Sequence, residues 1–170
     1  MQLILGDEDL FSLSIGKRVL KKDLVPPHTK DAVPVYSANA IETFGYVVRK
    51  DVEESEYDTI LWGIDGNFNF SYIKKGGCFI STDNCGKINI LRTDILPEYL
   101  LFALNESKND ESFDRSFRAS LANMKQFAVM LPSKGNNSFD INEQRKTAQS
   151  FIKLQELRTN LQRKRRSLAN

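Results

Sequence analysis

The 170-residue chain is poor in the groups that do chemistry: it has one histidine, two cysteines and one tryptophan. The single histidine, His28, sits in Val25-Pro26-Pro27-His28 without a serine or cysteine nucleophile nearby. A Ser–His or Cys–His relay needs such a pair, and a lone loop histidine is expected to face solvent. Cys78 and Cys85 are too few for a disulfide framework and fit no common zinc spacing. They are expected to be two buried thiols of a protein in a reducing cytoplasm. No phosphate-binding G-x-x-x-x-G-K-[ST] loop occurs; the nearest text, Asn84-Cys85-Gly86-Lys87, lacks the first glycine. No glycine-rich cofactor loop follows a strand. Asp65, Asp83 and Lys87 are the residue types of a metal-dependent nuclease, but they fall at turns, where aspartate ordinarily caps. No apolar run nears the ~18 residues that span a bilayer. The opening Met1-Gln2-Leu3-Ile4-Leu5-Gly6-Asp7-Glu8 lacks the basic flank and small-residue cleavage site of a signal peptide. These absences point to binding and away from turnover, with neither catalytic nor metal-ligating residues expected.

There is also little net charge, only +2, but the sum hides a division. Residues 1–140 carry 16 Lys+Arg against 20 Asp+Glu, net −4, and residues 141–170 carry 8 against 2, net +6. A nucleic-acid reading therefore needs a local basic face in the globular part, with Asp51, Glu53, Glu54, Glu56 and Asp58 turned elsewhere.

What is present is β-rich text between turns. Strands are predicted at Ala32–Tyr36, Tyr46–Arg49, Thr59–Ile64, Phe70–Ile73, Phe79–Ser81 and Ile88–Leu91 within a strand-like stretch beginning at Phe11. Turns are predicted at Ser37-Ala38-Asn39, Asp65-Gly66-Asn67, Lys75-Gly76-Gly77 and Asn84-Cys85-Gly86-Lys87. That spacing suggests a curled, mostly antiparallel sheet in an α+β domain. A helix is predicted over Pro97–Asn105, with Pro97 at its first position and an apolar stripe of Leu100, Leu101 and Leu104. Asn109–Arg118 reads as a loop, Asn123–Phe127 as one helical turn, Ala128–Leu131 as a last strand and Ser133–Ser138 as a linker.

The last element is the most strongly signalled. Asp140 and Glu143 form a capping-box pattern, bracketed by Phe139 and Gln144 at staple positions that suit glutamine poorly. No Gly or Pro follows in the remaining 27 residues. Leu154, Leu157, Leu161 and Leu168 repeat on a seam with Lys164 in the open slot. A helix over Ile141–Leu168 would be about 42 Å long at ~1.5 Å per residue. So long a stripe calls for a partner helix in an antiparallel coiled coil, the alternative being a helix folded back on its own sheet. Division into a domain over 1–138 and a spacer or dimerisation helix over 139–170 follows.

Three stretches carry a family resemblance. Ile15-Gly16-Lys17-Arg18-Val19-Leu20-Lys21-Lys22-Asp23-Leu24 and then Val33-Pro34-Val35-Tyr36-Ser37-Ala38-Asn39 are similar to a basic glycine turn leading to an I-P-V-Y-S-x-N strand. Asp65-Gly66-Asn67-Phe68-Asn69-Phe70 leads through Gly76-Gly77-Cys78-Phe79 to Ser81-Thr82-Asp83-Asn84. Met124-Lys125-Gln126-Phe127-Ala128-Val129-Met130-Leu131-Pro132 and Phe139-Asp140-Ile141-Asn142-Glu143-Gln144 resemble the junction from which a long helix springs. In order and spacing they resemble the specificity subunit of type I restriction–modification enzymes, as a single target-recognition domain with its following helix. The full subunit of that family has two domains and two helices; this chain has one of each.

The resemblance implies sequence-specific binding of double-stranded DNA at a bipartite site, each domain in the major groove over one half and the helices as spacer. It implies as partners a methyltransferase subunit, which would hold S-adenosylmethionine, the restriction subunit indirectly, and a second recognition domain or a second copy of this chain, paired through Leu154, Leu157, Leu161 and Leu168. Lys17, Arg18, Lys21 and Lys22 suit phosphate contacts. Ser37, Asn39, Asn67 and Asn69 suit base edges, or else cap their own turns. Phe68 and Phe70 alternate with the amides and are expected in the core. Asn84 and Lys87 form a second polar turn. Arg115, Arg118 and Lys125 belong to a third basic stretch that also includes Ser116 and Ser120, and it is the candidate for guanine reading. The run Arg163-Lys164-Arg165-Arg166 reads as a solvated coiled-coil end or a surface for the methyltransferase. Two other readings stay open: the recognition portion of a single-chain restriction–methylation enzyme, and a coiled-coil interaction protein that does not touch DNA.

Overall fold

A computed structural model of the chain describes residues 1–48, 52, 54–65, 68–108, 118–136 and 138–168. The chain is α+β and mostly antiparallel, as expected, but its strands divide between two sheets and two short ribbons. The first sheet runs in the order β2 (Phe11–Ile15), β8 (Cys85–Ile90), β5 (Thr59–Gly63), β6 (Phe70–Ile73), with all neighbours antiparallel. The second runs β4 (Thr43–Val48), β3 (Ala32–Tyr36), β7 (Ile80–Ser81), and its β3–β7 pair is parallel. β1 (Gln2–Ile4) pairs with β9 (Ala128–Met130), and β10 (Ser133–Gly135) with β11 (Ser138–Phe139).

The central strand shows why two layers form. Every residue of β5 is buried. Side chains alternate across a strand, so Ile60 and Trp62 enter the main core while Leu61 enters a smaller one with Cys85 and Ala40. The main core is closed by helix α1 (Pro97–Ser107), through Leu100 and Leu104, by Met124 of helix α2 (Leu121–Gln126), by Phe127 just after it and by Val129 of β9. The smaller core lies toward the second sheet, with Tyr36, Ile73 and Phe79 packed against it.

Helix α3 spans Ile141–Leu168, as its cap and uninterrupted sequence predict. Half of the capping box forms: Asp140 Oδ1 accepts from the N–H groups of Asn142 (3.0 Å) and Glu143 (3.2 Å). The Asp140 N–H goes instead to the Pro132 carbonyl at 2.8 Å. Gln144 is no staple partner. It is fully buried, donates to the Asp94 carbonyl at 2.9 Å and accepts from the Leu96 N–H at 2.8 Å, tying α3 to the start of α1. Ala148 is buried beyond it, and Phe151 meets Phe102 of α1 with ring centroids 5.0 Å apart. Past that point the described side chains are exposed, including Leu154, Leu157 and Leu161 at 48%, 55% and 61%.

Several expectations need correction. The 133–138 stretch is a ribbon rather than a linker, turned by Gly135 and Asn136, both in the left-handed region (φ 87° and 51°). Cys85, Gly86 and Lys87 lie in β8 and not in a turn. Cys85 is buried but Cys78 is exposed, because it follows the Gly76 turn outside both cores. The Asn109–Arg118 loop, apart from Arg118 itself, lies outside the described residues.

Candidate functional site

Strand directions bring five connections to one end of the molecule. β2 and β5 both run antiparallel to β8, so Ile15 at the end of β2 pairs with Gly86, and Gly63 at the end of β5 pairs with Cys85. The segments after β2, after β3, after β5 and before β8 therefore meet. Their backbones are stitched together: Gly16 N–H to Cys85 O (3.3 Å), Lys17 N–H to Ser81 O (3.2 Å), Ile64 N–H to Asn84 O (3.0 Å), Gly63 N–H to Asn69 O (3.1 Å) and Thr82 N–H to Tyr36 O (2.9 Å). Side chains add to this. Thr82 Oγ1 donates to Ser37 Oγ at 2.9 Å and accepts from Asn84 N–H at 3.2 Å, and Ser71 Oγ donates to Ala40 O. The fifth connection is described over residues 118–120, just before α2. The Trp62 indole N–H donates to Ala119 O at 2.9 Å, which holds Arg118 beside the β5 end. There Arg118 forms a two-point ion pair with Asp65, Nε to Oδ1 and Nη2 to Oδ2, both 2.8 Å.

Lys17, Arg18, Ser37, Asn39, Asn69, Asn84 and Arg118 thus share one end, although they are scattered over the sequence. Lys17, Arg18 and Asn39 are exposed there. For Asn39, turn capping is observed: its Oδ1 accepts from Ile41 N–H at 3.0 Å. Beneath the turns, burial pushes the Cys85 thiol up to about 12, against the opposing pull of Lys87. Cys85 is accordingly a neutral packing group. The Tyr36 hydroxyl is also raised, by burial first and then by Tyr46 and Cys85.

Other candidates are placed elsewhere. Lys21 and Lys22 are exposed on a 3-10 turn (Lys21–Asp23), next to the stretch whose Leu24 packs on Gly45 and whose Val25 bridges to Tyr46. Lys87 lies mid-sheet, opposite Ser14 and Leu61. It lines a groove with Ser55, Glu56, Tyr57, Phe79 and Asn89. Lys125 is held by Glu8 at 3.4 Å near the start of β2, the opposite end from the turns. Asn67 and Arg115 lie outside the described residues, as do Asp51, Glu53 and the side chain of Leu168. Glu54, Glu56 and Asp58 precede β5 and so lie at the far end from the turns. Phe68 and Phe70 stack edge-to-face on each other and on Phe127, in the core as expected.

The helix root also lies at the far end. After β8, Arg92 grips Asp94 at 2.6–2.8 Å, and Asp94 accepts from the Phe139 N–H at 3.1 Å. The Arg92 guanidinium lies 5.0 Å from the Phe139 ring centroid. Burial alone would raise the Asp94 carboxyl, but these hydrogen bonds and the Arg92 charge pull it below its ordinary value. Turns and root are separated by the length of β8, roughly 17 Å at ~3.3 Å per residue.

A family model described as the type I restriction modification DNA specificity domain matches residues 8–168. The chain belongs to that family. Solved specificity subunits share the fold of this specificity domain. The S subunit of a type I restriction–modification system from M. genitalium superposes with a TM-score of 0.67 at 21% identity, covering 94% of this chain and 40% of that one. The HsdS subunit from Thermoanaerobacter tengcongensis gives 0.68 at 12% identity, with 96% and 39% covered. A chain from a structural study of assembly and conformational transition in the type I R-M system gives 0.69 at 14%, with 96% and 40% covered. The specificity domain described here therefore spans about two fifths of the length of those chains. Comparison with curated proteins gave no match.

Among the described residues, no group of three or more His, Cys, Asp or Glu is arranged to hold a metal ion, and no helix is long and apolar enough to cross a membrane. Two residues escaped sequence reasoning. Gln144 gave only the signal of a polar residue in a staple position. Asp65 gave none toward Arg118, since the pair is 53 positions apart.

Proposed function

We propose that this specificity domain reads one half of a bipartite DNA target through its turn-bearing end, and that α3 holds it at a set distance from a second such domain. The observation that carries this reading is the opposition of the two features: converging polar turns at one end of the first sheet, and the root of an exposed helix at the other. Lys17 and Arg18 would contact phosphates and set register, while Ser37, Asn69, Asn84 and Arg118 face base edges in the major groove. Lys21, Lys22 and Lys87 fit flanking phosphate contacts; Lys125, held by Glu8, fits this less well. The other half of the target would be read by a second copy or a second recognition domain paired along Leu154, Leu157 and Leu161. A helix of about 42 Å is enough to separate two readers by one duplex turn of ~34 Å. Methylation and cleavage belong to partner subunits, with S-adenosylmethionine on the methyltransferase.

The test is selection of bound duplexes from a random pool, with and without a type I methyltransferase subunit. A two-part motif with a fixed gap is expected. A single ungapped motif removes the paired-reader arrangement, and no enriched motif in either condition removes DNA reading itself.

A further inference from the structure

The ion pair at the turn-bearing end has a geometry that stability does not explain. Its members are about half exposed, 58% for Arg118 and 46% for Asp65, and pairs in that setting add little to folding free energy. Yet both backbones are firmly seated. Arg118 O accepts from Asn123 Nδ2 and from Ser120 N–H, each at 2.7 Å, and the next carbonyl is held by the buried Trp62 indole. Asp65 follows the buried Ile64, whose N–H is bonded to Asn84 O. Two side chains from distant segments are thus brought into register at the mouth of the turns, joined by a hydrogen bond from Nη2 and an ion-pair contact from Nε.

Which edge of the guanidinium is used matters. Asp65 takes Nε and Nη2, the lateral edge. The end of the fork, Nη1 with the second Nη2 hydrogen, lies outside that pair. Guanine presents O6 and N7 side by side in the major groove and accepts two such donors from one arginine. A long arginine side chain otherwise loses much rotamer freedom on binding, and a carboxylate that fixes its plane beforehand removes that loss from the recognition step. We propose that Asp65 is a positioning residue that holds Arg118 edge-on, so that the end of its fork reads a guanine. The inference rests on the DNA-reading function above and adds a specificity-determining pair to it.

Random-pool duplex selection with the full chain tests this by comparing wild type with Asp65→Asn, Asp65→Ala, Arg118→Lys, Arg118→Ala and the Asp65→Ala/Arg118→Ala double variant. The wild type should prefer guanine at one position, and each single variant should weaken that preference on the order of tenfold at the same position. Total affinity for random duplex should hold or rise in the Asp65 variants, because an acid has left the DNA face. The double variant should be no less selective there than Arg118→Ala alone. An unchanged preference in Asp65→Asn at the position that Arg118→Lys relaxes overturns the positioning role, as does relaxation at two different positions. Circular dichroism and Trp62 emission confirm folding, and Arg118→Lys reads the pair from the other side if Asp65 variants unfold. A wild type that enriches no motif overturns the DNA-reading function itself and is seen before any variant is made.

Discussion

Gly16 leaves β2 with its α-carbon pressed against the backbone carbonyl of Ser81, in the space that any Cβ would occupy. This is where the two sheets touch, and the neighbouring N–H groups of Gly16 and Lys17 complete the contact through Cys85 O and Ser81 O. A carbonyl cannot swing aside as a flexible side chain can. Gly16→Ala should therefore cost roughly 1–3 kcal/mol, at the upper end of that range. Urea denaturation followed by Trp62 emission measures it. A variant as stable as wild type would mean that the sheets can part there without penalty.

Asp94 makes the helix root sensitive to acid. Its carboxyl lies below the ordinary value in the folded chain, because the Arg92 and Phe139 hydrogen bonds outweigh the effect of burial. Such a group stabilises fully above the unfolded carboxylate value of about 3.9, and its contribution fades as pH falls through the folded value. Asp94→Asn should cost about 1–3 kcal/mol at pH 7. The gap between wild type and variant should narrow as the pH is taken below ~4. Denaturation midpoints across pH 3–7 (about that range) decide it, and a gap independent of pH refutes the carboxylate's role.

The two thiols should behave differently. Cys78 is exposed, whereas Cys85 is buried with its thiol pushed up to about 12. An aromatic disulfide reagent at mild alkaline pH should titrate one thiol in the folded chain and two in denaturant, since thiolate is the reactive form. Cys78→Ser should abolish the fast reaction. Fast labelling of both would show that the smaller core opens readily.

Leu161→Lys should lower the oligomeric state without unfolding the domain. The side chain is 61% exposed on α3 and touches neither core, so its loss leaves folding intact. A paired helix, however, would have to bury the new charge in its seam. Analytical ultracentrifugation beside a thermal melt separates these effects. A wild type that sediments as a monomer, or a variant with an unchanged mass, removes the coiled-coil pairing.

Much of this was legible in the sequence wherever the signal was local. α3 was bounded by the Asp140 cap and the lack of Gly or Pro after it, and β3 and β6 by β-rich runs flanked by turn formers. The polar 133–138 stretch looked like a linker because its residues suit turns, and its pairing depends on the two left-handed residues Gly135 and Asn136. Nothing local could reveal partners far along the chain. Lys125 read as one of a basic stretch until Glu8, 117 positions away, was found beside it. Arg118 likewise looked unopposed, since Asp65 approaches it only through the ordering of β5 and the Trp62–Ala119 bond. The convergence of Ser37, Asn69 and Asn84 depends in the same way on strand order, which alternation alone does not specify.

The joint made by Arg92, Asp94 and Gln144 ties the root of α3 to the start of α1 and to Phe139. With the converging turns roughly 17 Å away along the strands, a tilt of about 10° at that joint would swing them by about 3 Å, nearly the ~3.4 Å step between successive nucleotides. On the proposed function, fidelity of register on the duplex would rest on these three side chains at the end away from the turns, and loosening any of them would blur the gap between half-sites before it altered which bases are preferred.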